Sequence, residues 1–202
     1  MAAGKRGTLV VISAPSGAGK TTIAREIMKR NALLEFSVSA TTRPKRAGEV
    51  EGRDYYFLTA EEVGRSVAAD EFVEWEEVYG YYYGTLKKEV ERALRAGRSV
   101  VFDVDVNGGI SIKRHYPEAV LIFVAPPSMD VLKERLVKRR TENDETLQKR
   151  LDRVPMELEK GRLFDYQVVN DVLERAITAV QKIVERYLEK AEDTNKGPAS
   201  CH

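Results

Sequence analysis

Residues 8–22 constrain the fold more than any other stretch of this chain. A β-rich run, TLVVIS at residues 8–13, enters a glycine-rich turn, APSGAGK at residues 14–20, and residues 21–31 (TTIAREIMKRN) then place Ile23 and Ile27 on one helical face. The unbroken apolar stretch Leu9-Val10-Val11-Ile12 is what a strand covered on both faces requires, and such strands belong to parallel sheets. Strand, glycine turn and helix in that order bring backbone N–H groups and a helix N-terminus to one point, a cradle for a polyphosphate. Ala14, Pro15, Ser16, Gly17, Ala18, Gly19, Lys20, Thr21 and Thr22 would form it. Lys20 would reach the β- and γ-phosphates, and the Thr21 hydroxyl would help hold Mg²⁺. The pattern G-x-x-x-x-G-K-[ST] departs only at its first position. There Ala14 is small, and the adjacent Pro15 already confines it to extended conformations.

The rest of the chain repeats the alternation. Residues 99–103 (SVVFD), 119–125 (AVLIFVA) and 166–169 read as further strands, and residues 86–96, 110–115 and 172–190 as helices. Together these predict an α/β fold with a right-handed, doubly wound parallel sheet. Two segments break the rhythm. Residues 35–84 carry strand-like pieces at 55–58 and 72–78, separated by a helix that Thr59 and Glu62 open as a capping box, and read as a small β-rich insertion. Residues 138–162 are almost all charge and read as a helical flap with few core-facing positions. The expected organisation is one domain over residues 1–190, with a core of about 1–34, 85–137 and 163–190, the insertion at 35–84 and a lid at 138–162. Residues 191–202 read as a disordered polar tail.

Composition and motifs narrow the function. With 33 Lys+Arg against 32 Asp+Glu the net charge is +1, so no global field draws the chain to nucleic acid or anionic lipid. The single cysteine, Cys201, rules out an intrachain disulfide framework, and no apolar run is long enough for a membrane span. A soluble, cytoplasmic protein is expected. Asn195-Lys196 is the chain's one Asn-Lys pair and lacks the Asp by which switch GTPases read guanine, and 202 residues are too few for a large ATPase. His115 and His202 stand alone, without the partners of a nucleophilic triad. A small phosphotransferase is left.

At this point the motifs become recognisable. APSGAGKTT at 14–22, FSVSATTRPKR at 36–46, GEVEGRDYYF at 48–57, FVEW at 72–75, YYGT at 82–85, FDVDVN at 102–107 and FVAPPS at 123–128 resemble the guanylate kinase family, in its order and spacing. The resemblance implies ATP-dependent phosphorylation of GMP, and of dGMP, with Mg²⁺. It implies a P-loop core, a GMP-binding region and a lid. Arg43, Arg46, Tyr55 and Tyr83 match the positions that hold the acceptor phosphate, where arginine forks and tyrosine hydroxyls are the right donors. Glu74 matches the guanine-reading carboxylate, which accepts from adjacent N–H donors where adenine would present a lone pair. Read alone, Glu74 fits better as the solvent-facing residue of an amphipathic strand; the surrounding matches reverse that order. Ser39, Thr85 and Asp105 match the remaining base contacts, with Thr85 where many relatives have Ser. Arg135, Arg139 and Arg150 match the lid arginines expected on the phosphoryl group in flight, though each could be a solvated helix charge. Asp103 is placed to bind Mg²⁺ directly or through water. Asn170 matches an adenine-side loop in which Val172 replaces a commonly acidic residue. Another small P-loop kinase, or a peptide-binding relative with decayed catalysis, are the alternatives.

Overall fold

The computed structural model describes residues 7–78, 80–138 and 144–194. The first strand, β1 (Leu9–Ser13), is buried throughout and leads into α1 (Lys20–Arg30). Then come β2 (Leu34–Phe36), β3 (Ala40–Thr41), β4 (Tyr56–Phe57), α2 (Ala60–Ala68), β5 (Phe72–Val78) and β6 (Tyr81–Leu86). The chain continues through α3 (Lys87–Arg95), β7 (Ser99–Asp103), α4 (Val106–His115) and β8 (Val120–Ala125). It ends with α5 (Met129–Lys138), α6 (Asp144–Gly161), β9 (Tyr166–Val169) and α7 (Leu173–Thr194).

Five strands form a parallel sheet in the order β2-β7-β1-β8-β9, with helices on both faces, as the alternating sequence predicts. Alternate residues of β1 serve opposite cores. Val10 and Ile12 pack with α1, α5 and α7 residues such as Ile23, Ile27, Leu132, Ile177 and Val180. Leu9 and Val11 pack with Val90 and Ala93 of α3 and Ile112 of α4. Crossovers on both faces put the C-terminal strand ends at one edge, where ligands of such folds bind.

Four strands form a second sheet, β4-β3-β6-β5, antiparallel except for the β3–β4 pair. The capping box of α2 is present: the Thr59 hydroxyl accepts from the Glu62 N–H and the Glu62 carboxylate accepts from the Thr59 N–H. This sheet is docked on the core through β5 and α4, with the Ser111 hydroxyl donating to the Val73 carbonyl at 3.1 Å.

Several elements differ from the sequence expectation. β2 joins the main sheet as a fifth strand, pairing with β7 at residues 34–36, so the main sheet takes in residues expected in the insertion. β3 and β6 are additional strands, and β6 runs on to Leu86. Helix α4 begins at Val106, four residues earlier than expected, because the Asp105 carboxylate caps it by accepting from the Gly108 N–H at 2.8 Å. Helix α7 continues to Thr194, into the expected tail, whose residues 195–202 lie outside the described residues. The segment expected to have few core-facing positions is anchored by a stripe of them: Val154 of α6 is 0% exposed in the main core, with Leu151 and Leu158 packed beside it.

Candidate active site

The β1–α1 turn builds the phosphate cradle. Gly17 and Gly19 hold φ angles of 86° and 99°, which L side chains rarely adopt, and a Cβ on Gly19 would lie 2.5 Å from the Asn170 side-chain nitrogen. The Ala18 N–H donates to the Pro15 carbonyl at 3.0 Å and closes the turn, with Ala14 and Ala18 buried beneath it. Gly19 begins α1 without a side-chain cap, so the N–H groups of the first turn remain for an anion at the positive end of the helix. Thr22 lies exposed in that turn.

Asp103, the last residue of β7 and the register partner of Ile12 in β1, organises the cation side. Lys20 Nζ stands 2.8 Å from Asp103 Oδ1 and also donates to the Val104 carbonyl at 3.0 Å. The Thr21 hydroxyl donates to Asp103 Oδ2 at 2.8 Å. A hydroxyl and a carboxylate at the lip of a phosphate cradle suit Mg²⁺, a hard ion that keeps several waters and takes few protein oxygens. Among the described residues no cluster of three or more acidic, His or Cys side chains could hold a metal by itself, so an ion here would draw its remaining ligands from phosphate and water.

The cradle is tied to distant elements. Asn170, buried after β9, donates from its side-chain nitrogen to the Ala18 carbonyl at 2.8 Å, and its own carbonyl accepts from Arg135 of α5 at 3.0 Å. Arg150 of α6 donates to the Ser16 hydroxyl at 2.9 Å. Arg139 lies outside the described residues.

Across from the cradle, the second sheet presents a basic pocket and an acidic one. Arg43 is 9% exposed, its fork donating to Glu49 at 2.7 Å and to the Pro44 carbonyl at 2.7 Å. Its guanidinium carbon lies 5.3 Å from the centre of the Tyr55 ring, and Tyr55 meets Tyr83 edge-on at 6.2 Å. Burial pushes the Tyr55 hydroxyl above its usual pKa, so it remains a donor at neutral pH. The Arg43 fork holds the Glu49 carboxyl below its usual range, helped by the Arg46 N–H, which donates to Glu49 at 2.8 Å; the Arg46 side chain is exposed. Ser39 is half-buried beside β3, its carbonyl accepting from the Tyr56 N–H.

The acidic pocket is set by a bulge in β5 between Phe72 and Glu74. The shift buries Phe72 and Val73 in different clusters and brings Glu74 opposite Thr85 of β6, whose hydroxyl donates to Glu74 Oε1 at 2.7 Å. Burial pushes the Glu74 carboxyl up to about 7, against the pull of that hydrogen bond, and neighbouring Asp105 and Glu76 add to the rise. Lys20 is near enough to act on Glu74 in the opposite sense, which puts the two pockets within electrostatic reach of each other.

Four residues at this junction were not singled out from the sequence: Glu49, Glu76, Arg153 and Glu157. Glu157 of α6 is buried and raised by desolvation, with Arg153 and Lys20 opposing the rise. Arg150, Arg153 and Glu157 recur at helical spacing, which is the signal that places them on one face. Glu76 shares a strand face with Glu74, two residues away, and nothing comparable marks Glu49.

A doubly wound parallel sheet with a triphosphate cradle at its strand ends, faced by a small sheet bearing arginines and carboxylates, defines a P-loop nucleotide kinase. Residues 6–187 match the family model described as guanylate kinase. A guanylate kinase of Carboxydothermus hydrogenoformans is 46% identical over 179 residues, covering 89% of this chain and 88% of the relative. One from Thermotoga maritima is 48% identical over 179 residues, covering 89% of this chain and 86% of the relative. The crystal structure of guanylate kinase from Anaplasma phagocytophilum superposes with a TM-score of 0.72 at 30% identity, covering 91% of this chain and 87% of that one. The chain belongs to the guanylate kinase family. Among the described residues, no helix is long and apolar enough to cross a membrane.

Proposed function

We infer that this protein transfers the γ-phosphoryl group of ATP to GMP, giving ADP and GDP. The observation that carries the reading is Glu74, a desolvated carboxylate opposite Thr85 and within electrostatic reach of Lys20. As a carboxylate it accepts together from the ring N–H and exocyclic amine of guanine; adenine would set a lone pair against it. Ser39, Thr85 and Asp105 complete the base contacts. A pocket whose polar groups are left unpaired by the wrong base discriminates by roughly 10⁴.

On the acceptor side Arg43, Arg46, Tyr55 and Tyr83 bind the GMP phosphate, with Arg43 exchanging Glu49 for it. On the donor side the backbone of residues 14–19, with Lys20, Thr21 and Thr22, grips the triphosphate, and Asn170 lines the adenine side. Thr21 and Asp103 would hold Mg²⁺, which supplies charge neutralisation on the β- and γ-phosphates. A phosphate oxygen of GMP, already anionic, attacks the γ-phosphorus in line; the bond from that phosphorus to the β–γ bridging oxygen breaks and ADP leaves with the electron pair. No general base is required, and catalysis consists of alignment and charge stabilisation. Lys20, Arg43, Arg135, Arg139 and Arg150 supply that charge, and an arginine on a transferring phosphoryl group is worth on the order of 10³ in rate.

A coupled assay with ATP and GMP, AMP, UMP or CMP in turn tests the reading. GMP should be used at least about 10³-fold more efficiently than the others. Comparable turnover of several monophosphates would favour a kinase of other specificity, and none at all a binding module.

A further inference from the structure

Arg153 lies on α6 three residues beyond Arg150 and four before Glu157. Its Nη2 donates to Glu76 Oε1 at 3.0 Å and to Asp105 Oδ2 at 3.2 Å. One side chain thus joins three stretches of chain: helix α6, strand β5 of the smaller sheet, and the turn between β7 and α4. Asp105 is pinned from both sides, because its other oxygen accepts the Gly108 N–H at 2.8 Å. Glu76 follows Glu74 by two residues, so the two carboxylates project from the same face of β5.

This neighbourhood is crowded with negative charge. Glu76 and Asp105 are close enough to hydrogen-bond each other, and burial together with Asp105 raises the Glu76 carboxyl while Arg153 lowers it. Glu74 faces Asp105 and Glu76, and Glu157 faces Arg153 and Asp105. Two carboxylates held this close repel each other unless a cation lies between them. Without the Arg153 bridge that repulsion would turn Asp105 away from the direction its bonds to Arg153 and the Gly108 N–H now set.

We propose that Arg153 is a positioning residue for guanine recognition: by bridging Glu76 and Asp105 it holds the Asp105 side chain aimed at the base, and it makes that aim depend on where α6 sits. Arg153 acts through the two carboxylates and does not touch the base. The proposal rests on the assignment of Asp105 to guanine given above. It adds that the helix turn carrying Arg150 to the phosphate cradle also carries the group that prepares the base pocket, so the two nucleotide sites are coupled through α6.

The test compares wild type, Arg153→Met and the double variant Arg153→Met/Glu76→Gln in steady-state assays varying GMP and ATP separately, with folding checked by circular dichroism. Arg153→Met should raise KM for GMP about tenfold or more while KM for ATP changes less than about threefold. The second substitution removes the unpaired carboxylate and should return KM for GMP to within about threefold of wild type. If Met is not tolerated at this position, Arg153→Gln carries the same expectations. An unchanged KM for GMP, a double variant that stays impaired, or parallel rises for both substrates would each overturn the proposal, the last marking a general defect of α6. Failure of the underlying reading shows separately, as a wild-type enzyme that does not phosphorylate GMP, and takes this proposal with it.

Discussion

Glu74 joins function to an energetic cost. Its carboxyl is raised to about 7 by burial, against an ordinary value of 4.5, so between those values the folded protein binds a proton that the unfolded chain releases. Stability therefore falls as pH rises through that window, and above about 7 the penalty is fully present at about 3 kcal/mol. Replacing the acid by its neutral isostere removes the penalty and leaves an oxygen for the Thr85 hydroxyl. Glu74→Gln should raise Tm by about 5 °C or more at pH 8.5 and leave it nearly unchanged at pH 4, while reducing kcat/KM for GMP by at least about 10²-fold. The wild-type enzyme should lose GMP affinity as pH falls, with an apparent pKa near 7. Glu76 titrates upward beside it, so the profile describes the acidic pair and not one residue. An apparent value near 6 would belong to the phosphate of the nucleotide and would count against Glu74 as the titrating group.

Elements were legible where one physical signal acted alone. β1 and α1 could be read because a fully buried run meets a turn of fixed chemistry, and α2 because its cap is written in Thr59 and Glu62. β3 spans two residues and β2 three, too short for any periodicity to appear. β6 was hidden by Gly84, which argues against a strand in sequence. In space it is required, since a Cβ there would stand 2.8 Å from both the Glu74 carbonyl and the Phe72 ring. Gly108 and Gly109 masked the start of α4 in the same way, and a Cβ on Gly109 would meet the Phe164 ring at 2.7 Å. In α6 the charges concealed a core stripe, Leu151, Val154 and Leu158, at helical spacing. That stripe predicts an anchored helix. Val154→Ala should destabilise the protein by about 2 kcal/mol in urea melts, whereas Val137→Ala, at a position 59% exposed on α5, should stay within about 0.5 kcal/mol. Equal effects would mean that α6 contributes no more to the core than a surface helix.

For the molecule as a whole, the site residues come from β1–α1, the second sheet, β7–α4, α5, α6 and the β9–α7 turn, so no single element assembles it. Water competes with GMP for the γ-phosphoryl group, and a site complete before GMP arrives would waste ATP. The contacts across it are side-chain hydrogen bonds that a bound nucleotide would be able to replace: Arg150 to Ser16, Arg153 to Glu76 and Asp105, and the Arg43 fork to Glu49. Because Val154 fixes α6 in the core, a closing motion would have to divide between the part of α6 preceding that anchor and a swing of the second sheet about its seam with α4. A compact chain of 202 residues has a radius of gyration of about 16–17 Å. Small-angle scattering with a bisubstrate analogue joining adenosine and guanosine through phosphates should give a value near that figure. The free enzyme should be measurably larger, and ATP alone or GMP alone should produce only part of the contraction. Identical radii in all four states would mean that the two halves of the site are permanently apposed, and water would then have to be excluded by the bound nucleotides themselves.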